Sequence, residues 1–231
     1  MLRASLFLTL LPAAAFAEDH VLWQEGCEHY MTLQTRSCQV SHYFRCPGPY
    51  DGTQLRVDYG INGKTYEALT DREGRWMQTY AHSTGELFVM AEGATDPASL
   101  AALQSTGRDS YDFVTVDQSG NRKFYQGEDR LTGETVLIDG ETLTPTEFSF
   151  TETDASGTVL QRVEGREYVN PEMGQFIGGI STFTDDTGSY PFDTSPKDFV
   201  HPGEPGFNST IPQYECRDMM SSLSPLPGGA G

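Results

Sequence analysis

The feature that most limits what this chain can fold into is a period of two, broken at short intervals by turn residues. TQLRVDYG (53–60) puts Leu55, Val57 and Tyr59 on one face and Gln54, Arg56 and Asp58 on the other. That alternation marks a half-buried antiparallel strand. Asn62-Gly63 comes next, and this dipeptide supplies the positive-φ residues that a tight hairpin needs. KTYEALT is then the partner strand. Arg72-Glu73-Gly74 turns into RWMQTYAH, and Ser83-Thr84-Gly85 turns into ELFVMAE. Further on, SYDFVTVD, RKFYQGEDRL, TVLID, LTPTEFSFTET, TVLQRVEGREYV and MGQFIGGISTFT are separated by turns at Asp117, Thr132, Gly140, Asp154 and Asn170. About ten strands are expected between His42 and Phe183, at sandwich or barrel spacing. Connections this short favour an up-and-down meander over a Greek key.

The expected fold class is therefore all-β: an antiparallel up-and-down meander forming a barrel or half-barrel, with one short helix. Asp96-Pro97 reads as the helix N-cap and first-turn proline. The helix runs through Ser99 to Gln104, and Gly107 ends it. At that length it is read as a connector, with a lid or end plug as the other role.

The ends of the chain differ from its middle. MLRASLFLTLLPAAAFA (1–17) has a basic residue at Arg3, a short apolar stretch and an Ala-Phe-Ala cleavage pattern. It is read as a secretory signal peptide, too short to span a membrane and followed at once by Glu18 and Asp19. Residues 18–184 are the expected β domain. From Asp185 to Cys216 the chain is rich in Pro, Gly, Asp and Ser and is expected to be irregular chain packed on the sheet. Residues 217–231 are expected to be a disordered tail. The anticipated location is the periplasm or the extracellular space.

Charge narrows the partners. Thirty-three Asp and Glu stand against 15 Lys and Arg. Such a surface repels nucleic acid and anionic membranes, so neither nucleic acid nor membrane insertion is expected. The acids are spread along the chain, which fits solubility better than a dedicated docking face.

Four cysteines, Cys27, Cys38, Cys46 and Cys216, fit two disulfides in an oxidising compartment. The gaps of ten, seven and 169 residues are wrong for a zinc site, and no C-x-x-C pair is present. QVSHYFR, between Cys38 and Cys46, reads as a strand whose ends would lie roughly 26 Å apart. A disulfide needs Cα atoms within about 7 Å, so Cys38–Cys46 is excluded. The pairing 27–38 with 46–216 is preferred over 27–46 with 38–216, although a hairpin turning at Thr35-Arg36 would favour the second. Either pairing ties the C-terminal region back to the start of the domain.

Motifs for chemistry are sparse. No nucleophile elbow, H-E-x-x-H or S-x-x-K is present. Gly63-Lys64-Thr65 mimics the end of a phosphate loop, but Asp58 stands where its first glycine belongs. The acidic runs at Asp117 and Asp154 lack calcium-loop spacing and are read as turns. Asp185, Asp186 and Asp193 are a somewhat better calcium candidate, yet still lack a dense oxygen set. His82, with Glu86 four residues on, reads as a solvated hairpin end. No catalytic residue, metal ligand or cofactor is assigned.

The strand faces are more informative. Phe148 and Phe150 share a face with Thr144 and Thr146, and Phe176 lies before Gly178-Gly179. Aromatic residues on both faces of a curved sheet, with glycines at bends, fit a core on one side and a cavity or covering segment on the other. Trp76, Tyr80, Phe148, Phe150 and Phe176 are the candidate wall of a ligand site. The function expected is non-enzymatic binding of a small apolar ligand or lipid. The alternatives are an envelope interaction protein, which docks an unknown protein through a sheet edge or acidic face, and a hydrolase with an unrecognised carboxylate site.

Overall fold

The computed structural model describes residues 20–48 and 52–216. The expected leader (1–17) and tail (217–231) lie outside the described residues. Along the chain run β1 (Glu28–Thr35), β2 (Gln39–Arg45), β3 (Gln54–Gly60), β4 (Gly63–Thr70), β5 (Trp76–Ala81), β6 (Glu86–Met90), α1 (Leu100–Thr106) and β7 (Arg108–Asp117). β8 (Arg122–Leu131), β9 (Val136–Ile138), β10 (Glu141–Thr153), β11 (Val159–Asn170), β12 (Gln175–Asp185), β13 (Gly188–Asp193) and β14 (Pro196–Val200) follow.

All fourteen strands belong to one antiparallel sheet, in the order β13-β12-β11-β10-β8-β7-β6-β5-β4-β3-β2-β1-β14, with β9 paired to β10 off this path. The anticipated meander is the fold. Its two ends, β13 and β14, are separated in the chain only by Thr194 and Ser195. So short a link spans at most about 11 Å, so the sheet must roll round until its ends meet. Thr194 N–H donates to the Gly179 carbonyl at 2.8 Å, and Arg36 N–H donates to that of Ser195 at 3.1 Å. No ladder joins β13 to β14, so the sheet is not closed.

The segment expected to be irregular, 185–216, is therefore strand over 188–193 and 196–200. β12 offers an unpaired edge, and Asp185 Oδ1 accepts from the N–H of Thr187 and Gly188 to fold the chain back along it. Beyond Val200 the segment is irregular, as anticipated.

The covalent clamp is real, but its pairing is the less favoured one: Cys27–Cys46 and Cys38–Cys216. The reason is the β1–β2 hairpin. Thr35 pairs with Gln39 and Glu28 with Arg45, which carries Cys27 to Cys46. Cys38 is left at the turn with φ +53°, where its N–H reaches the Tyr214 carbonyl at 2.9 Å. Two disulfides belong in an oxidising compartment.

β3 is buried on both faces rather than one. Leu55, Val57 and Tyr59 join Val40, Phe44 and Leu69 in a core on the outer side of the sheet, covered by Leu22 and Trp23. Fully buried Glu67 pins that cover by accepting from Val21 N–H at 3.1 Å and Leu22 N–H at 2.8 Å. The other face of β3, with Arg56 and Asp58, points inward. Half of the interior is filled by Met31, Leu33, Tyr43, Leu143, Ile177 and Phe199.

α1 is more than a connector. Leu100 and Leu103 are buried against Val169, with Leu131 and Phe176 packed alongside, so the helix plugs one end of the rolled sheet. Its N-cap is Ser99, whose Oγ accepts from Ala102 N–H at 3.1 Å. Asp96, the expected cap, instead exchanges backbone hydrogen bonds with Asp112. Gly107, at φ +82°, ends the helix as expected.

Candidate functional site

Beside the filled half, the rolled sheet encloses a cavity of about 190 Å³. Four of the five expected wall residues, Trp76, Phe148, Phe150 and Phe176, line it. They come from β5, β10 and β12; β10 and β12 flank β11, while β5 lies four places from β10 in the sheet order and the curvature brings its Trp76 to them.

Tyr80 does not line the cavity. It packs on the outer core and stands edge-on to His82 at 4.9 Å. Strict alternation would put Trp76 and Tyr80 on one face. The β4–β5 ladder, however, runs Glu67 to Tyr80 and Leu69 to Gln78, then jumps to Thr70 opposite Trp76. The extra residue, Met77, forms a bulge and turns Trp76 inward while Tyr80 stays outside.

Trp76 is the centre of an aromatic box. Its ring meets Phe113, Tyr125 and Phe150 edge-on, at 5.9, 5.8 and 6.0 Å. Phe113 and Tyr125 stack on each other at 4.9 Å. Edge-to-face pairs of this kind are favoured by the ring quadrupole. The indole is still 36% exposed, which places it at the cavity's opening. Gly74, next to it in the wall, has φ +78°, and a Cβ there would lie 2.6 Å from the Phe176 ring. That position fits only glycine.

The cavity also has a charged side. Arg56 from β3, Asp129 from β8 and Glu167 from β11 all line it. Arg56 already has partners: Nε is 3.2 Å from Asp58 Oδ1, though not aligned for a hydrogen bond, and the guanidinium bonds Tyr43 and lies 5.7 Å from the Tyr66 ring centre. Arg75, the other cation of the wall, is held by Asp71. Asp129 and Glu167 have neither a hydrogen bond nor an ion pair among the described residues. Burial pushes Asp129 up to about 7, helped by the charges of Asp109 and Glu128. Glu167 is raised well above the carboxylate range by burial and then by Asp129, against a smaller opposing pull from Arg56. Burial therefore favours the protonated, neutral form of each carboxyl.

A second bulge aims Glu167. Arg166 pairs with Ile180 and Tyr168 with Ile177, so Gly178 and Gly179 together face Glu167. A Cβ on Gly179 would lie 2.2 Å from the Arg166 carbonyl oxygen, and one on Gly178 would lie 2.5 Å from Thr194 Oγ1. The two glycines, read from sequence as a bend, are the bend that presents this carboxyl.

Sequence reasoning missed Arg56, Asp129, Glu167, Tyr111, Phe113 and Tyr125. The alternation was legible, but a polar strand face was taken for the solvent face. In β8, Tyr125, Gly127 and Asp129 share one face. A tyrosine and an acid beside a strand glycine were the available signal.

Other candidates resolve structurally. Asp117 Oδ1 accepts from the N–H of Ser119 and Asn121, and Asp154 Oδ1 from those of Ser156 and Thr158. Both runs are turns, as expected. Asp185 is occupied by its own turn, while Asp193 accepts from Ser195 N–H and lies 3.7 Å from Arg36. No group of three metal-binding side chains occurs among the described residues. His82 is not a solvated end: its Nε2 contacts buried Glu67 at 2.9 Å, and Glu86 accepts from Thr84 Oγ1 instead. Compared with protein-family models, curated proteins and solved structures, the chain matches none.

Proposed function

We propose that this is a secreted or periplasmic binding protein that holds a compact, largely apolar ligand inside its rolled sheet. The observation that supports this most is the cavity itself, whose walls are aromatic side chains from β5, β7, β8, β10 and β12. Ligand sites are typically concave and apolar with a few placed polar groups. The volume of about 190 Å³ is below the usual range of roughly 300–1,000 Å³. It exceeds an engineered cavity of about 150 Å³ that takes up benzene. The ligand is thus of single-ring size, and a two-chain lipid is too large.

A second reading has a weaker basis. β13 leaves one edge unpaired, and Tyr190 and Phe192 on it are exposed, as an interaction surface would require. The hydrolase reading draws on Asp129 and Glu167. Acid–base catalysis needs one group held ionised and another protonated, and burial drives both of these the same way.

Native mass spectrometry of protein secreted by its own host tests the proposal. A small-molecule mass that copurifies and is lost on organic extraction is the expected result. A bare chain whose melting temperature also ignores toluene and indole would contradict it.

A further inference from the structure

The charges around the cavity are unevenly satisfied. Its two cations are already paired, Arg56 with Asp58 and Arg75 with Asp71. Its two acids, Asp129 and Glu167, lie on β8 and β11, on either side of β10, and have no hydrogen-bond or ion-pair partner among the described residues. Thr146, directly opposite Glu167 in the ladder, is fully buried and its hydroxyl is also without a partner. Directly opposite Asp129 in the ladder stands Phe148, and beyond it the box of Trp76, Phe113, Tyr125 and Phe150. An enclosed, unpaired carboxyl is costly unless something compensates it. Aromatic faces attract cations. One ligand chemistry answers both features.

We propose that the cavity is an amine site: it takes a small ligand with an apolar ring and one ammonium group, the ring in the aromatic box and the nitrogen against the Asp129–Glu167 pair. This rests on the ligand-binding reading above and names the ligand's class. The proton balance is simple. Below about pH 7, where Asp129 holds its proton, a ligand arriving as its ammonium ion meets a neutral Asp129 carboxyl. One carboxyl releases its proton to solvent, and an ammonium–carboxylate pair is left with no net change in cavity charge.

Around Asp129 the facing charges and titratable groups are Asp109 and Tyr111 on β7, Glu128 on its own strand and Glu167 on β11. Around Glu167 they are Asp129, Tyr111 and Arg56. Of these groups Arg56 opposes a cation, and Asp58 offsets it; Arg75, the wall's other cation, is offset by Asp71.

The test compares benzylamine with benzyl alcohol, which has nearly the same shape but no charge, on the full secreted chain by calorimetry. Runs at about pH 6 in buffers of different ionisation heat count the protons exchanged. Benzylamine is expected to bind at least about tenfold more tightly and to release about one proton per ligand. Glu167→Gln and Asp129→Asn should each pull the amine-to-alcohol ratio towards one. Equal binding of both probes, or tighter binding of the alcohol, overturns the amine site and leaves the binding reading standing. Binding of neither probe, nor of toluene, overturns both. Tight amine binding without proton release would place the ammonium elsewhere and overturn the assignment to this pair. The probe comparison needs only the native chain, so it decides the matter even if a variant fails to fold.

Discussion

Asp129 is 6% exposed and carries the clearest consequence at the residue scale. Its carboxyl keeps its proton up to about pH 7 in the folded chain, whereas the unfolded chain loses it near the ordinary value of about 4. Between those limits the folded state binds more protons than the unfolded state. Stability therefore falls as pH rises through that window and levels off above it. Glu167, raised in the same direction, adds to the slope. Asp129→Asn should gain up to about 4 kcal/mol at about pH 8, change little at about pH 4, and flatten the profile. Urea melts at the two pH values measure this; an Asn variant less stable at the higher pH would contradict the protonation argument. Little of this was legible in the sequence. Thirty-three acids make any one of them inconspicuous, and which carboxyls turn inward depends on curvature that no local pattern records.

At the element scale, the bulges decide what the strands present. Alternation located the strands, and it placed Phe148 and Phe150 together correctly. It failed at β5, where Met77 shifts the register, because a bulge leaves no mark in a binary pattern. The β12 bulge was more visible, since two adjacent glycines within a strand already suggest a bend. Gly179→Ala sets a methyl against the Arg166 carbonyl at 2.2 Å, and the main chain there can yield only by disturbing the β11–β12 ladder. A loss of roughly 2–4 kcal/mol is expected, with Glu167 re-aimed. Gly157→Ala is the control: it has open space around its Cβ position and φ +84°, so only left-handed strain of about 1 kcal/mol should appear. Equal losses in the two urea melts would count against the bulge's role. The helix gives a parallel lesson. Its position and its Gly107 stop were readable, but its role as a plug was not, because Leu100 and Leu103 meet Val169 only in the rolled sheet.

At the scale of the whole molecule, the fold is a sheet rolled until its ends meet without pairing. The meander and its turns were legible, since each hairpin is local. The return of β14 to β1 was not, because it joins residues about 165 positions apart. Cys38–Cys216 fastens the same seam across 178 residues, whereas Cys27–Cys46 spans 19. Loop entropy assigns roughly 5 kcal/mol to the long bridge and roughly 3 kcal/mol to the short one, both upper figures. Replacing Cys38 and Cys216 by Ser should therefore lower stability more than replacing Cys27 and Cys46. Urea melts of the two double variants give the order, and the reverse order would show that the seam holds without its bridge.

The central claim is that the hollow half of the interior receives a ligand. The most direct measurement is a set of intermolecular nuclear Overhauser effects between bound benzylamine or toluene and assigned ring protons of the protein. The account predicts contacts to Trp76, Phe113 and Phe150, the rings that wall the cavity. Contacts confined to Tyr190 and Phe192 on the open edge, or none at saturating probe, would contradict it.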